Sequence, residues 1–156
     1  TPWKAPAVKE GEFGGHAIQF LDRLKEDLFF NLEHSLKISK PKRYLIGLSL
    51  AGLFSVWAGV RKELFEGVGA ISGSFWYDGF AEWLQNQAEL KCVRFYISLG
   101  EKEKETKVKR FANIEADTMR VVEILMARGA DVTFDMTEGG HNSPIIPRIE
   151  KSLESF

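Results

Sequence analysis

The 156-residue sequence predicts an α/β fold in three layers, a parallel sheet with helices on both faces. Three observations predict it. Helical patterns alternate with short apolar or β-branched runs, the arrangement of parallel strands joined by crossover helices. One junction, Gly47-Leu48-Ser49-Leu50-Ala51-Gly52, reads as strand, tight turn and helix in immediate succession. The composition, 44% hydrophobic and 28% charged, is that of one soluble globular domain over residues 1–156.

Residues 1–15 hold Pro2, Pro6, Gly11, Gly14 and Gly15 and read as an irregular leading loop. From His16 to about Leu36 the residues Ala17, Leu21, Leu24, Leu28, Leu32 and Leu36 recur at steps of three and four, one stripe of an amphipathic helix. Lys40-Pro41 ends it before an apolar strand through Tyr44, Leu45 and Ile46. A helix from Leu50 to about Arg61, a strand Val68–Ile71 and a helix from about Asp78 to Ala88 follow. Next come a strand Val93–Leu99 and a charged loop through Arg110. A helix of about Asn113 to Arg128 turns Ile114, Val121, Val122 and Leu125 inward, and Gly129 stops it. A strand Val132–Met136 and a helix from about Pro144 to Leu153 complete the chain.

The Ser49 junction has the form of a nucleophile elbow. Small residues flank the serine because strand and helix cross closely there, and the strained turn lifts the hydroxyl above the sheet. The Leu50 N–H, at the helix start, aims a donor at any oxyanion formed on Ser49. A serine needs a base to take its proton. Of three histidines, His16 and His34 fall in the helical pattern before the elbow, where a solvated or capping role suffices. His141 follows a strand and the glycines Gly139 and Gly140, which leave its loop able to reach Ser49. An acid to orient that base should follow the strand ending at Gly100, in the run Glu101-Lys102-Glu103-Lys104-Glu105. Glu103 is the first candidate and Glu101 the second; the remaining readings make the run a solvated loop, with a Ser–His dyad or an acid elsewhere in the chain.

Phe75, Trp76, Tyr77, Phe80 and Trp83 cluster after the second strand, at the end of the sheet where binding loops gather. Trp76 and Tyr77 are the candidates to line an acyl or aryl pocket beside Ser49; core packing is the alternative. Net charge is −1 with both signs interspersed, so nucleic acid is not an expected partner. No apolar run approaches the roughly 18–20 residues of a membrane span. The sequence has no CxxC, no paired histidines and no acidic cluster, so no metal or other cofactor is expected. Gly67-Val68-Gly69 lacks the lysine of a phosphate loop. Cys92 excludes an internal disulfide, reads as a small core residue and fits a cytoplasmic location.

The elbow, the stretch Ile71-Ser72-Gly73-Ser74-Phe75-Trp76, the strand end Ser98-Leu99-Gly100-Glu101-Lys102-Glu103 and the loop Gly139-Gly140-His141 together resemble the putative esterase family, the enterochelin-esterase/esterase-D-like branch of the α/β-hydrolases. The resemblance runs from Thr1-Pro2-Trp3 to the C-terminal helix. It implies a carboxylic-ester hydrolase using Ser49 and His141 with an acid near Glu103, acting on siderophore lactones, simple acyl esters or thiol esters. Against an α/β-hydrolase sheet of about eight strands, four are legible. The expectation is a partial α/β-hydrolase domain without its N-terminal strands or the loop giving a second oxyanion donor. Such a chain would pair with a second copy or with a missing N-terminal half. The alternative function is a catalytically silent packing or oligomerisation module.

Overall fold

A computed structural model describes every residue except Val93 and Ser143. The chain packs as two compact units, Thr1–Arg43 and Tyr44–Phe156. In the first, strand β1 (Lys4–Pro6) pairs antiparallel with β2 (Glu12–Gly14), Ala5 opposite Phe13. This corrects the expectation of an irregular loop. Gly11, at φ 81°, turns the chain, and the Ala7 N–H donates to the Gly11 carbonyl at 2.9 Å. Strands of three residues carry no readable alternation.

Helix α1 (Ala17–Arg23) runs into a wider π-helical stretch, Leu24–Phe29, and then α2 (Phe30–Ser35). The helix is where the periodicity predicts it, but its stripe does not stay on one buried face. Ala17 and Leu21 are buried, whereas Leu28, Leu32 and Leu36 are exposed. Winding with i→i+5 bonds breaks the 3.6-residue period on which a four-residue stripe depends. Arg43 closes this unit by a two-point bond to Glu33, at 2.5 and 2.7 Å.

The second unit is a four-stranded parallel sheet in simple sequential order: β3 (Tyr44–Leu48), β4 (Gly67–Ile71), β5 (Arg94–Gly100) and β6 (Asp131–Thr137). Helix α3 (Leu50–Arg61) joins β3 to β4. Helix α4 (Phe80–Gln85) lies between β4 and β5, shorter than expected because Gly79, at φ 76°, delays its start. Helix α5 (Ile114–Ala127) joins β5 to β6, and α6 (Ile145–Glu154) follows β6. Ile114, Val121, Val122 and Leu125 of α5 are all buried, as their spacing predicts. The expected start of the third strand, Val93, lies outside the described residues.

The central strand β4 shows how both faces are covered. Successive side chains of a strand point to opposite faces. Val68 packs against Gly59 of α3, while Gly67 and Gly69 admit Phe156 and Ser152 from the C-terminal end of the chain. The run Gly67-Val68-Gly69 is therefore fully buried strand, and its glycines make room for a helix rather than for a phosphate. Cys92 is buried just before β5. Among the described residues no helix is long and apolar enough to cross a membrane.

Candidate active site

The carboxyl ends of β3, β4, β5 and β6 carry the site. At the end of β3 the chain turns through Ser49, with φ 59° and ψ −121°, a region that L-residues rarely occupy, and α3 begins at once with Leu50. Backbone bonds hold this strain. The Ser49 N–H donates to the Ile71 carbonyl at 2.9 Å, and the Ser49 carbonyl accepts from Leu53 and Ser74 at 3.0 and 3.1 Å. Gly47 is a steric necessity here, and Gly52 sits where a side chain would be tight. A Cβ on Gly47 would overlap the Ala51 carbonyl and lie 2.7 Å from the Gly52 nitrogen. One on Gly52 would meet the Gly47 oxygen at 3.0 Å and Gly73 Cα at 3.1 Å. The Leu50 N–H belongs to the first helical turn, whose amides have no partner within the helix.

Beyond β5 the chain folds back so that the Glu103 N–H donates to the Gly100 carbonyl at 3.0 Å. This turn brings Glu103 inward to 9% exposure and leaves Glu101 exposed. The loop after β6 is bonded to the same turn. Glu101 N–H donates to the Thr137 carbonyl at 2.9 Å, and Lys102 N–H to the Gly139 carbonyl at 3.0 Å. Gly100 has no side chain because a Cβ there would lie 2.6 Å from the Gly139 oxygen. So braced, His141 Nδ1 lies 2.8 Å from Glu103 Oε2. With the carboxylate accepting, the proton sits on Nδ1 and the Nε2 lone pair is left for chemistry.

Glu103 is a buried charge that is well supplied with donors. Its Oε1 accepts from the Gly100 N–H at 2.6 Å and from Ser72 Oγ at 2.5 Å, with Arg148 Nη2 3.7 Å away. Burial pushes its pKa up, but the bonds from His141, Ser72 and Gly100 outweigh burial and hold it below the ordinary glutamate value. Burial likewise lowers the Arg148 pKa, opposed by the charge of Glu103.

A cavity of about 310 Å³ joins these parts. Ser49, Glu103 and His141 line it, with Trp76, Phe111 and Ile114 as its apolar wall and Lys102 and Thr106 among its polar residues. Trp76 packs at a tilt against Phe111, their ring centroids 5.0 Å apart, and carries the Arg110 guanidinium 5.2 Å from its ring. Tyr77 does not reach the cavity. At 2% exposure it packs inside, its N–H donating to the Ser74 carbonyl. His16 and His34 belong to the first unit, both exposed, His34 stacked on Phe30. Sequence reasoning missed four polar residues. Ser74 places its Oγ 3.3 Å from Ser49 Oγ, and Ser72, Ser98 and Arg148 form the buried bonds behind Glu103. The available signal was two serines directly after β4, beside the elbow.

Comparison with known proteins agrees with this architecture. The profile of the family described as "Putative esterase" matches residues 1–144. The uncharacterised protein YbbA of Bacillus subtilis is 27% identical over 135 residues, covering 83% of this chain and 54% of its own length. The chain thus spans about half the length of that curated relative. Among solved structures, the siderophore hydrolase EstB of Aspergillus nidulans superposes with a TM-score of 0.71 at 21% identity, over 99% of this chain and 63% of its own. The enterobactin esterase FES of Shigella flexneri superposes at 0.70 with 18% identity, over 87% and 37%. SOBER1 of Arabidopsis thaliana superposes at 0.61 with 13% identity, over 99% and 70%. These likenesses establish the α/β-hydrolase fold.

Proposed function

Because the chain belongs to the putative esterase family, we propose that it is a carboxylic-ester hydrolase working through a serine nucleophile. The observation that carries the reading is the bond between His141 Nδ1 and Glu103 Oε2 in the cavity that the strained Ser49 also lines. Ser49 Oγ attacks the ester carbonyl carbon, and His141 Nε2 takes the hydroxyl proton. The carbonyl oxygen becomes an oxyanion facing the Leu50 N–H and the positive end of α3. Collapse of the tetrahedral species breaks the C–O bond, and the imidazolium gives its proton to the departing alkoxide. Water, deprotonated by His141 in turn, hydrolyses the acyl-Ser49 ester and restores the serine. Glu103 keeps the imidazole in its working tautomer and stabilises the imidazolium by its charge.

The cavity suits a modest acyl or aryl group. Trp76, Phe111 and Ile114 supply an apolar wall, and about 310 Å³ is at the small end for ligand sites. Two of the similar structures are a siderophore hydrolase and an enterobactin esterase, so siderophore esters stand beside simple acyl esters as the substrate class. Hydrolysis of p-nitrophenyl acetate and p-nitrophenyl butyrate by the purified chain tests the proposal. Turnover should disappear in Ser49→Ala and in His141→Gln while the fold is kept. Equal background rates in the native chain and both variants would instead favour the silent packing module.

A further inference from the structure

Arg148 is 1% exposed on α6, and the hydrolytic steps above make no use of it. Burying a guanidinium is costly unless its charge and donors are matched. Its Nη2 donates to Ser72 Oγ at 2.8 Å and its Nε to Ser98 Oγ at 3.2 Å. Arginine has donors only, so Ser72 Oγ must accept from it. The one hydroxyl proton of Ser72 is then committed to Glu103 Oε1, 2.5 Å away. Donor direction is thereby fixed from α6, through the loop after β4, to the acid.

The backbone of Ser72 points the same way. Its φ is 47°, in the left-handed region where glycine sits without steric cost and a side chain does not. Its N–H is tied to the Ser98 carbonyl at 2.8 Å, which holds it there. What serine adds at this position is the hydroxyl, and the hydroxyl is spent on Glu103. We propose that Arg148 and Ser72 are positioning residues: they fix Glu103 Oε1 so that Oε2 is presented to His141, which sets the tautomer that leaves Nε2 open toward Ser49. This inference rests on the hydrolytic roles given above to Ser49, His141 and Glu103.

The test reads the imidazole directly. In ¹⁵N-histidine-labelled protein, the ring-nitrogen shifts of His141, assigned with His141→Gln, report its tautomer without any turnover. The native chain should hold His141 as the Nδ1–H form. Ser72→Ala keeps the Cβ and removes only the hydroxyl, and Arg148→Met removes the charge at similar length. Both should shift His141 toward mixed tautomers, with kcat on p-nitrophenyl acetate lower by about tenfold and KM little changed. Arg148→Lys, retaining the charge and a donor, should fall between Arg148→Met and the native chain. Ser72→Gly, which relaxes the backbone, is the second variant should alanine unfold the protein. An Nδ1–H tautomer retained in the folded Ser72 and Arg148 variants overturns the proposal, whatever the esterase rate. A shifted tautomer in a chain without esterase activity would uphold the positioning role and refute the hydrolytic one.

Discussion

Two corners of the cavity hold their functional groups by different means. Ser49 is fixed by backbone: a positive φ, three main-chain hydrogen bonds and glycines at 47 and 52 that let strand and helix cross. Glu103 is fixed largely by side chains drawn from distant parts of the chain, Ser72 from 31 residues away and His141 from 38. Behind them Arg148 reaches Ser72 across 76 residues. Backbone constraint leaves a short motif, because the residues that must be small are neighbours in sequence. A side-chain network leaves only scattered hints, because most of its members are ordinary polar residues until the fold assembles them.

The largest effect should come from the side-chain corner. Glu103→Gln is expected to lower kcat on p-nitrophenyl esters by about 10³- to 10⁴-fold, the scale of losing the acid that orients a catalytic histidine. Glu101→Gln, at an exposed position, should stay close to the native rate. Comparable mild losses in both variants would return the acid loop to a solvated charge run. The same carboxylate carries a pH signature. Its folded pKa lies below the ordinary value of 4.5, so its stabilising contribution is present above that value and is lost as pH falls through the lower folded one. Urea midpoints should therefore show the gap between native protein and Glu103→Gln narrowing as the pH is lowered below the ordinary glutamate range.

The backbone corner should fail in another manner. Gly47→Ala drives a methyl into the Ala51 carbonyl, with a cost of about 3 kcal/mol or more. It should appear as a lower Tm and lost reactivity together, whereas Glu103→Gln loses rate more than it loses stability. A Gly47→Ala chain with native Tm and native rate would contradict the account of the elbow. Among the residues of the cavity corners, a smaller effect is expected at Ser74, whose Oγ is 3.3 Å from Ser49 Oγ. Ser74→Ala should change kcat by less than about tenfold, since the net worth of one such hydrogen bond is small.

The same contrast explains what the sequence revealed. The elbow, the helix Leu50–Arg61 and the inward face of α5 were legible because local sterics and a regular period govern them. Glu103 is the first candidate in the sequence's charged run, and the fold turns it inward while Glu101 stays exposed. The Arg148 network was not legible, since nothing near residue 148 distinguishes a buried guanidinium from a solvated one. Tyr77 and Trp76 are adjacent aromatics in one loop, and only tertiary packing sends the first inward and the second to the cavity. The leucines of residues 17–36 misled because a π-helical stretch changes the period that their spacing assumes.

The most direct test of the central claim is covalent. A fluorophosphonate forms a phosphonyl ester with an activated serine, and intact-mass and peptide analysis locate the adduct. The account predicts stoichiometric labelling at Ser49, absent in Ser49→Ala and strongly slowed in His141→Gln and Glu103→Gln. Labelling at another residue, or none at Ser49 in the folded native chain, would contradict it.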